Sequence, residues 1–84
     1  MQIEPLKQFI SQHIPCTFLH VEGDGRHFDA ILVCEQFEGL STLKRQQRVY
    51  GFLNTLITEG KLHAFSMKTY TPTEWQQKQG QIHG

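Results

Sequence analysis

Cysteine is scarce in this sequence. Cys16 and Cys34 are the only two in 84 residues. Two cysteines make no disulfide framework, and no C-x-x-C is present. An excess of charge is missing as well. Eight basic residues balance eight acidic ones, so the formal net charge is zero, whereas a dedicated nucleic-acid binder usually carries a basic surplus. No apolar run approaches the ~20 residues that span a bilayer. The opening MQIEPLKQFI has no charged start followed by an apolar block, so it does not read as a secretory signal. Enzyme signatures are absent too: there is no G-x-S-x-G, H-E-x-x-H or G-x-x-x-x-G-K-[ST]. The carboxylates are scattered rather than paired for acid–base work. These absences point to a non-enzymatic, soluble protein of a reducing compartment, most simply the cytoplasm, with no membrane partner.

The length allows one small domain, burying about 60–65% of its unfolded surface. Glu4-Pro5 fits a helix start, since proline is tolerated at the first helical position. Leu6, Phe9 and Ile10 then share a face, and Pro15 ends the helix. Residues 16–22 and 27–37 are rich in β-branched and aromatic types, and the GDGR turn at 23–26 joins them as a hairpin. Ser41 caps a long helix whose apolar face is expected at Leu43, Tyr50, Leu53 and Ile57, with Val49 and Leu56 beside it. Gly60 sits where a C-terminal glycine belongs. HAFSMKTY (63–70) alternates as a third strand. Thr71-Pro72-Thr73-Glu74 is a capping box for a short helix over 72–79. The domain is read as 1–79, with 80–84 as a flexible tail.

The order α-β-β-α-β-α predicts an α+β domain, a three-stranded mixed sheet with helices on one face. The long helix is then the crossover that makes strands two and three parallel.

Histidine is plentiful, with five in the chain. His63 opens the third strand and His27 opens the second. Singly, either reads as an ordinary strand-end residue. Together, on parallel strands, they lie at the same end of the sheet. Two neutral imidazoles are half of a four-ligand metal site. Neither cysteine is near them in sequence, so further ligands would have to come from elsewhere. KRQQR (44–48) places Lys44, Arg45 and Arg48 on the first turns of the long helix. Such a tract is usually a solvated face. It also stands at the end where the helix dipole disfavours cations, which hints at contact with phosphate or an acidic partner.

FEGLSTLKRQQRVY (37–50) followed by HAFSMKTYTPTEW (63–75) resembles the BolA-like proteins, most closely their short bacterial branch. The resemblance covers about residues 16–76. It implies a KH-like α/β fold of the second topological type. It also implies a role in iron–sulfur trafficking, with a monothiol (CGFS-type) glutaredoxin as partner and a [2Fe-2S] cluster shared between the two. In that picture the glutaredoxin and its bound glutathione each give a thiolate. The BolA-like chain gives His63 and a second ligand from the first hairpin, for which His27 is the candidate here. The cofactor is conditional on the partner, and the isolated chain is expected to be a monomer. Some members are described as DNA-binding transcriptional regulators. The alternative implied is therefore a small nucleic-acid-binding, stress-response regulator that uses Lys44, Arg45 and Arg48.

Overall fold

In the computed structural model, which describes residues 1–83, the chain winds α1 (Ile3–His13), β1 (Phe18–Gly23), β2 (His27–Val33), α2 (Thr42–Thr58), β3 (Ala64–Tyr70) and α3 (Pro72–His83). The sheet order is β1-β2-β3. β1 pairs antiparallel with β2, Phe18 opposite Val33. β2 pairs parallel with β3, His27 opposite Ala64. The expected order and mixed sheet are both present.

Alternation sorts each strand onto two faces. Leu19 and Val21, then Phe28, Ala30 and Leu32, then Phe65 and Met67 face the helices. Leu6 and Ile10 of α1 and Val49, Leu53 and Leu56 of α2 meet them in one core. Proline ends α1 as expected. Ile14, just before Pro15, is extended at φ −144° and fully buried. α3 lies differently from α1 and α2. Trp75 stacks on Phe18 at 5.3 Å between ring centres and sits 5.3 Å from Tyr70. Phe18 and Tyr70 alternate onto the opposite face, so α3 covers one end of the surface that α1 and α2 leave open, and the helices are not all on one face as expected.

Several expectations shift. β3 starts at Ala64, so His63 stands just before the strand it was expected to open. β2 ends at Val33 rather than running to residue 37, because β1 stops supplying a partner after Thr17, whose N–H donates to the Val33 carbonyl at 2.8 Å. Residues Glu35–Phe37 form a 3-10 turn that drops Phe37 into the core. β1 begins at Phe18, two residues later than expected. The buried stripe of α2 is Arg45, Val49, Leu53 and Leu56, whereas Leu43 is 63% exposed and Ile57 40%. The stripe is rotated toward Val49 and Leu56, which the pattern had placed beside the expected face; Leu43 lies about 200° round the helix from the inward Arg45 and so falls outside it. α3 continues to His83 instead of stopping at residue 79; of the expected 80–84 tail, Gly84 lies outside the described residues.

Candidate functional site

The start of β3 is built outward from a helix end. Gly60 takes a left-handed conformation, φ +75°, that costs most residues but not glycine. That turn lets Gly60 N–H donate to the Ile57 carbonyl at 3.0 Å and Lys61 N–H to that of Leu56 at 2.9 Å, a Schellman closure of α2. Leu62 follows and is buried in the core. Ala64 begins the ladder, its N–H donating to the Arg26 carbonyl at 3.1 Å. His63 therefore stands between two anchored neighbours, with its own side chain exposed. A ligand-bearing residue held this way loses little further freedom on binding.

His27 is fixed by the hairpin turn. Asp24 Oδ1 accepts from His27 N–H at 2.9 Å and from Arg26 N–H at 3.0 Å. Those two amides, His27 first, hold the Asp24 carboxyl below its usual range. Asp24 N–H in turn donates to the His27 carbonyl at 3.2 Å, and Gly25 at φ +101° makes the reversal. At Gly23 a Cβ would lie 2.6 Å from Phe28 Cδ1 and closer still to the His27 carbonyl oxygen. Only glycine lets the hairpin close tightly enough to present His27 at the tip of β2.

The parallel pairing brings His27 and His63 to the same end of the sheet, but one step out of phase. His27 is opposite Ala64, so His63 stands one residue before the ladder, level with Arg26. Cross-strand partners share a face, so the sheet alone does not aim both imidazoles at one point. His63 lines a shallow groove of about 350 Å³ together with Arg26, Lys61, Gly25 and the start of α1. His27 is outside that groove. Among the described residues no three His, Cys, Asp or Glu side chains come together as a metal site. The donor set is thus two exposed imidazoles, one in a groove flanked by cations. That fits a site completed by another molecule and not one closed within this chain.

The basic tract divides. Lys44 and Arg48 are exposed, and Arg48 donates to Gln36 Oε1. Ser41 Oγ accepts from Lys44 N–H at 3.2 Å, so the expected cap is present. Arg45 leaves the tract altogether, being only 7% exposed. Its Nη1 and Nη2 donate to Glu74 Oε1 and Oε2 at 2.6 and 3.1 Å, its Nε to the Leu40 carbonyl at 2.9 Å, and Nη1 also to the Thr69 carbonyl at 3.4 Å. The fork is a bidentate, charge-assisted pair joining α2 to the capping box of α3. Arg45 is thereby corrected from a surface contact to an internal tie. Nothing in the sequence linked residues 45 and 74.

Sequence reasoning also passed over the cysteines. The sulfurs of Cys16 and Cys34 lie 2.9 Å apart. The hairpin register would have revealed them: with Phe18 opposite Val33, Cys16 and Cys34 fall within one residue of facing each other.

No helix among the described residues is long and apolar enough to cross a membrane. The family model of BolA-like protein matches residues 8–74. The acid stress protein IbaG of Escherichia coli strain K12 is 53% identical over 75 residues, 89% of each chain. Among solved structures, a Bol-like protein from Babesia bovis superposes with a TM-score of 0.81 at 30% identity, covering 94% of both chains. A BolA homologue from Coxiella burnetii gives 0.75 at 36% identity, covering 90% of this chain and 99% of its own.

Proposed function

The chain belongs to the BolA-like family, and from that premise we propose that it is a non-enzymatic adaptor in iron–sulfur trafficking that binds a [2Fe-2S] cluster jointly with a monothiol glutaredoxin. His63 is the first ligand and His27 the second. The glutaredoxin cysteine and glutathione thiolate complete the four. The observation that carries the reading is the end of the β2–β3 ladder, where two exposed histidines stand on anchored backbone at one end of the sheet.

The surroundings suit this cargo. A [2Fe-2S] core held by two thiolates and two neutral imidazoles has no net charge when oxidised and one negative charge when reduced, and glutathione brings two carboxylates. Arg26 and Lys61 flank His63 in its groove and offer cations to both. Imidazole ligation raises a cluster's potential relative to all-thiolate ligation. It also requires neutral histidine, so acid competes with iron for the same nitrogen. That competition gives a physical route to acid sensitivity, and the relative at 53% identity is called an acid stress protein.

The reading is tested by anaerobic co-purification of the full chain with a cluster-loaded monothiol glutaredoxin. The expected result is a coloured heterodimer with two irons per pair. Lowering the pH should release the chain. Separate elution, with all the iron on a glutaredoxin homodimer, would contradict the reading.

A further inference from the structure

Cys16 and Cys34 bracket the hairpin at the end of the sheet away from the histidines. Cys16 lies two residues before β1, and Cys34 directly follows β2. Both backbones are held. Thr17 donates to the Val33 carbonyl through N–H at 2.8 Å and Oγ1 at 3.1 Å, and Cys34 N–H donates to the Tyr70 carbonyl at 2.9 Å. The two thiols are free, yet their sulfurs touch at 2.9 Å. They differ sharply in access. Cys34 is fully buried. Cys16 is partly exposed and opens onto a shallow pocket of about 220 Å³ lined by Pro15, Thr17, Glu35 and Gln36.

We propose that Cys16 and Cys34 are a redox-responsive pair, in which a peroxide entering this pocket oxidises Cys16 and Cys34 resolves it to an intrachain disulfide. In the first step the Cys16 thiolate attacks one peroxide oxygen. An S–O bond forms, the O–O bond breaks and hydroxide leaves, giving a sulfenic acid. In the second step the Cys34 sulfur attacks the Cys16 sulfur. The S–S bond forms, the S–O bond breaks, and the departing hydroxide takes the Cys34 proton as water. Two electrons pass from the sulfurs to the peroxide, and the sum is two thiols and hydrogen peroxide giving a disulfide and two waters.

The environment assigns the roles in the same direction. A hydrogen bond from Cys34 favours the Cys16 thiolate and lowers its pKa, against a smaller opposing effect of burial. That same bond, followed by burial, keeps Cys34 protonated as a thiol. The attacking sulfur is thus the accessible one with more thiolate character, and the resolving sulfur is already in contact. A disulfide here is a transient state in a reducing compartment rather than a permanent staple. It closes the ends of the β1–β2 hairpin on each other and restricts the unfolded chain, so the oxidised fold should melt higher. The pair acts at the opposite end of β2 from His27, and the proposal does not depend on metal binding.

The test treats the reduced, folded full chain with stoichiometric hydrogen peroxide, then blocks free thiols with N-ethylmaleimide and measures intact mass. The expected product is a monomer lighter by two hydrogens, with neither cysteine alkylated, one Cys16–Cys34 linked peptide, and complete reversal by dithiothreitol. Its melting temperature should exceed that of the reduced chain. In Cys34→Ser, a sulfenic acid should persist on Cys16 and be trapped by dimedone. In folded Cys16→Ser, Cys34 should resist both peroxide and alkylation. Two free cysteines after peroxide, a Cys16 sulfinic acid beside a free Cys34, or Cys16–Cys16 dimers as the main product would each overturn the proposal. So would a lower melting temperature on oxidation. The four overturning outcomes are read on wild-type protein, so they hold even if a variant fails to fold.

Discussion

Arg45 brings a positive charge into the junction of α2, β3 and α3, and Glu74 makes that position tolerable. Every guanidinium contact there is satisfied by Glu74, Leu40 or Thr69. Glu74 also accepts from Thr71 N–H at 2.9 Å, while Thr71 Oγ1 accepts from Glu74 N–H at 3.2 Å, which is the reciprocal capping box. The Arg45 hydrogen bond, helped by the Thr71 amide, holds the Glu74 carboxyl down at about 2. A lowered folded pKa contributes stability that is complete above the unfolded value and is lost as pH falls toward the folded one. Thermal melts of wild type should therefore decline between about pH 4.5 and 2. Glu74→Gln should be less stable at neutral pH and show a flatter acid limb. Glu74→Ala also leaves Arg45 without its counter-ion. Breaking a buried pair costs about 3–5 kcal/mol, but Glu74 is 45% exposed, so a loss of about 2 kcal/mol in denaturant unfolding is expected. The capping box was legible in the sequence because it is local. The partner 29 residues away was not, and a residue named only by its charge was read as surface.

At the scale of elements, a glycine inside α2 and the glycine just past its end should respond in opposite ways to the same substitution. Gly51 lies exposed inside the helix, and a Cβ there meets nothing within 4 Å. Gly51→Ala should stabilise by about 0.5–1 kcal/mol by restricting the unfolded chain. Gly60 has the same open space but a φ of +75°. Gly60→Ala should cost about 1–2 kcal/mol and disturb the turn that leads to His63. Urea unfolding of both variants checks the pair, and equal signs would refute the assignment. Four helix boundaries were legible because caps, prolines and glycines act locally: Ser41, Pro15, Gly60 and the Thr71–Glu74 box mark real ones, whereas α1 starts at Ile3, ahead of Glu4-Pro5, and α3 runs past residue 79. The helical face and the end of β2 were not. Leu43 is apolar yet faces water, because it lies about 200° round the helix from the inward Arg45. The run from Cys34 to Phe37 looks strand-like, yet β1 offers it no partner.

At the scale of the whole molecule, the long helix crossing between β2 and β3 makes them parallel, and parallel pairing sets His27 and His63 at one end. That much followed from the element order. The phase between them did not, since it depends on a register that only the packed ladder defines. The cysteine pair was obscured in the same way: its residues are 18 apart in sequence, and the hairpin register alone brings them together. The molecule thus places histidines at one end of its sheet and thiols at the other.

The central claim is that His63 ligates the cluster. The direct measurement adds the full chain to a [2Fe-2S]-loaded monothiol glutaredoxin under anaerobic conditions and follows visible absorption and circular dichroism. Wild type should convert the glutaredoxin homodimer spectrum into a distinct one. His63→Ala should fail to do so while keeping its fold, and His27→Ala should give a weaker, shifted spectrum. An unchanged spectrum with wild type, or the same new spectrum with His63→Ala, would contradict the account.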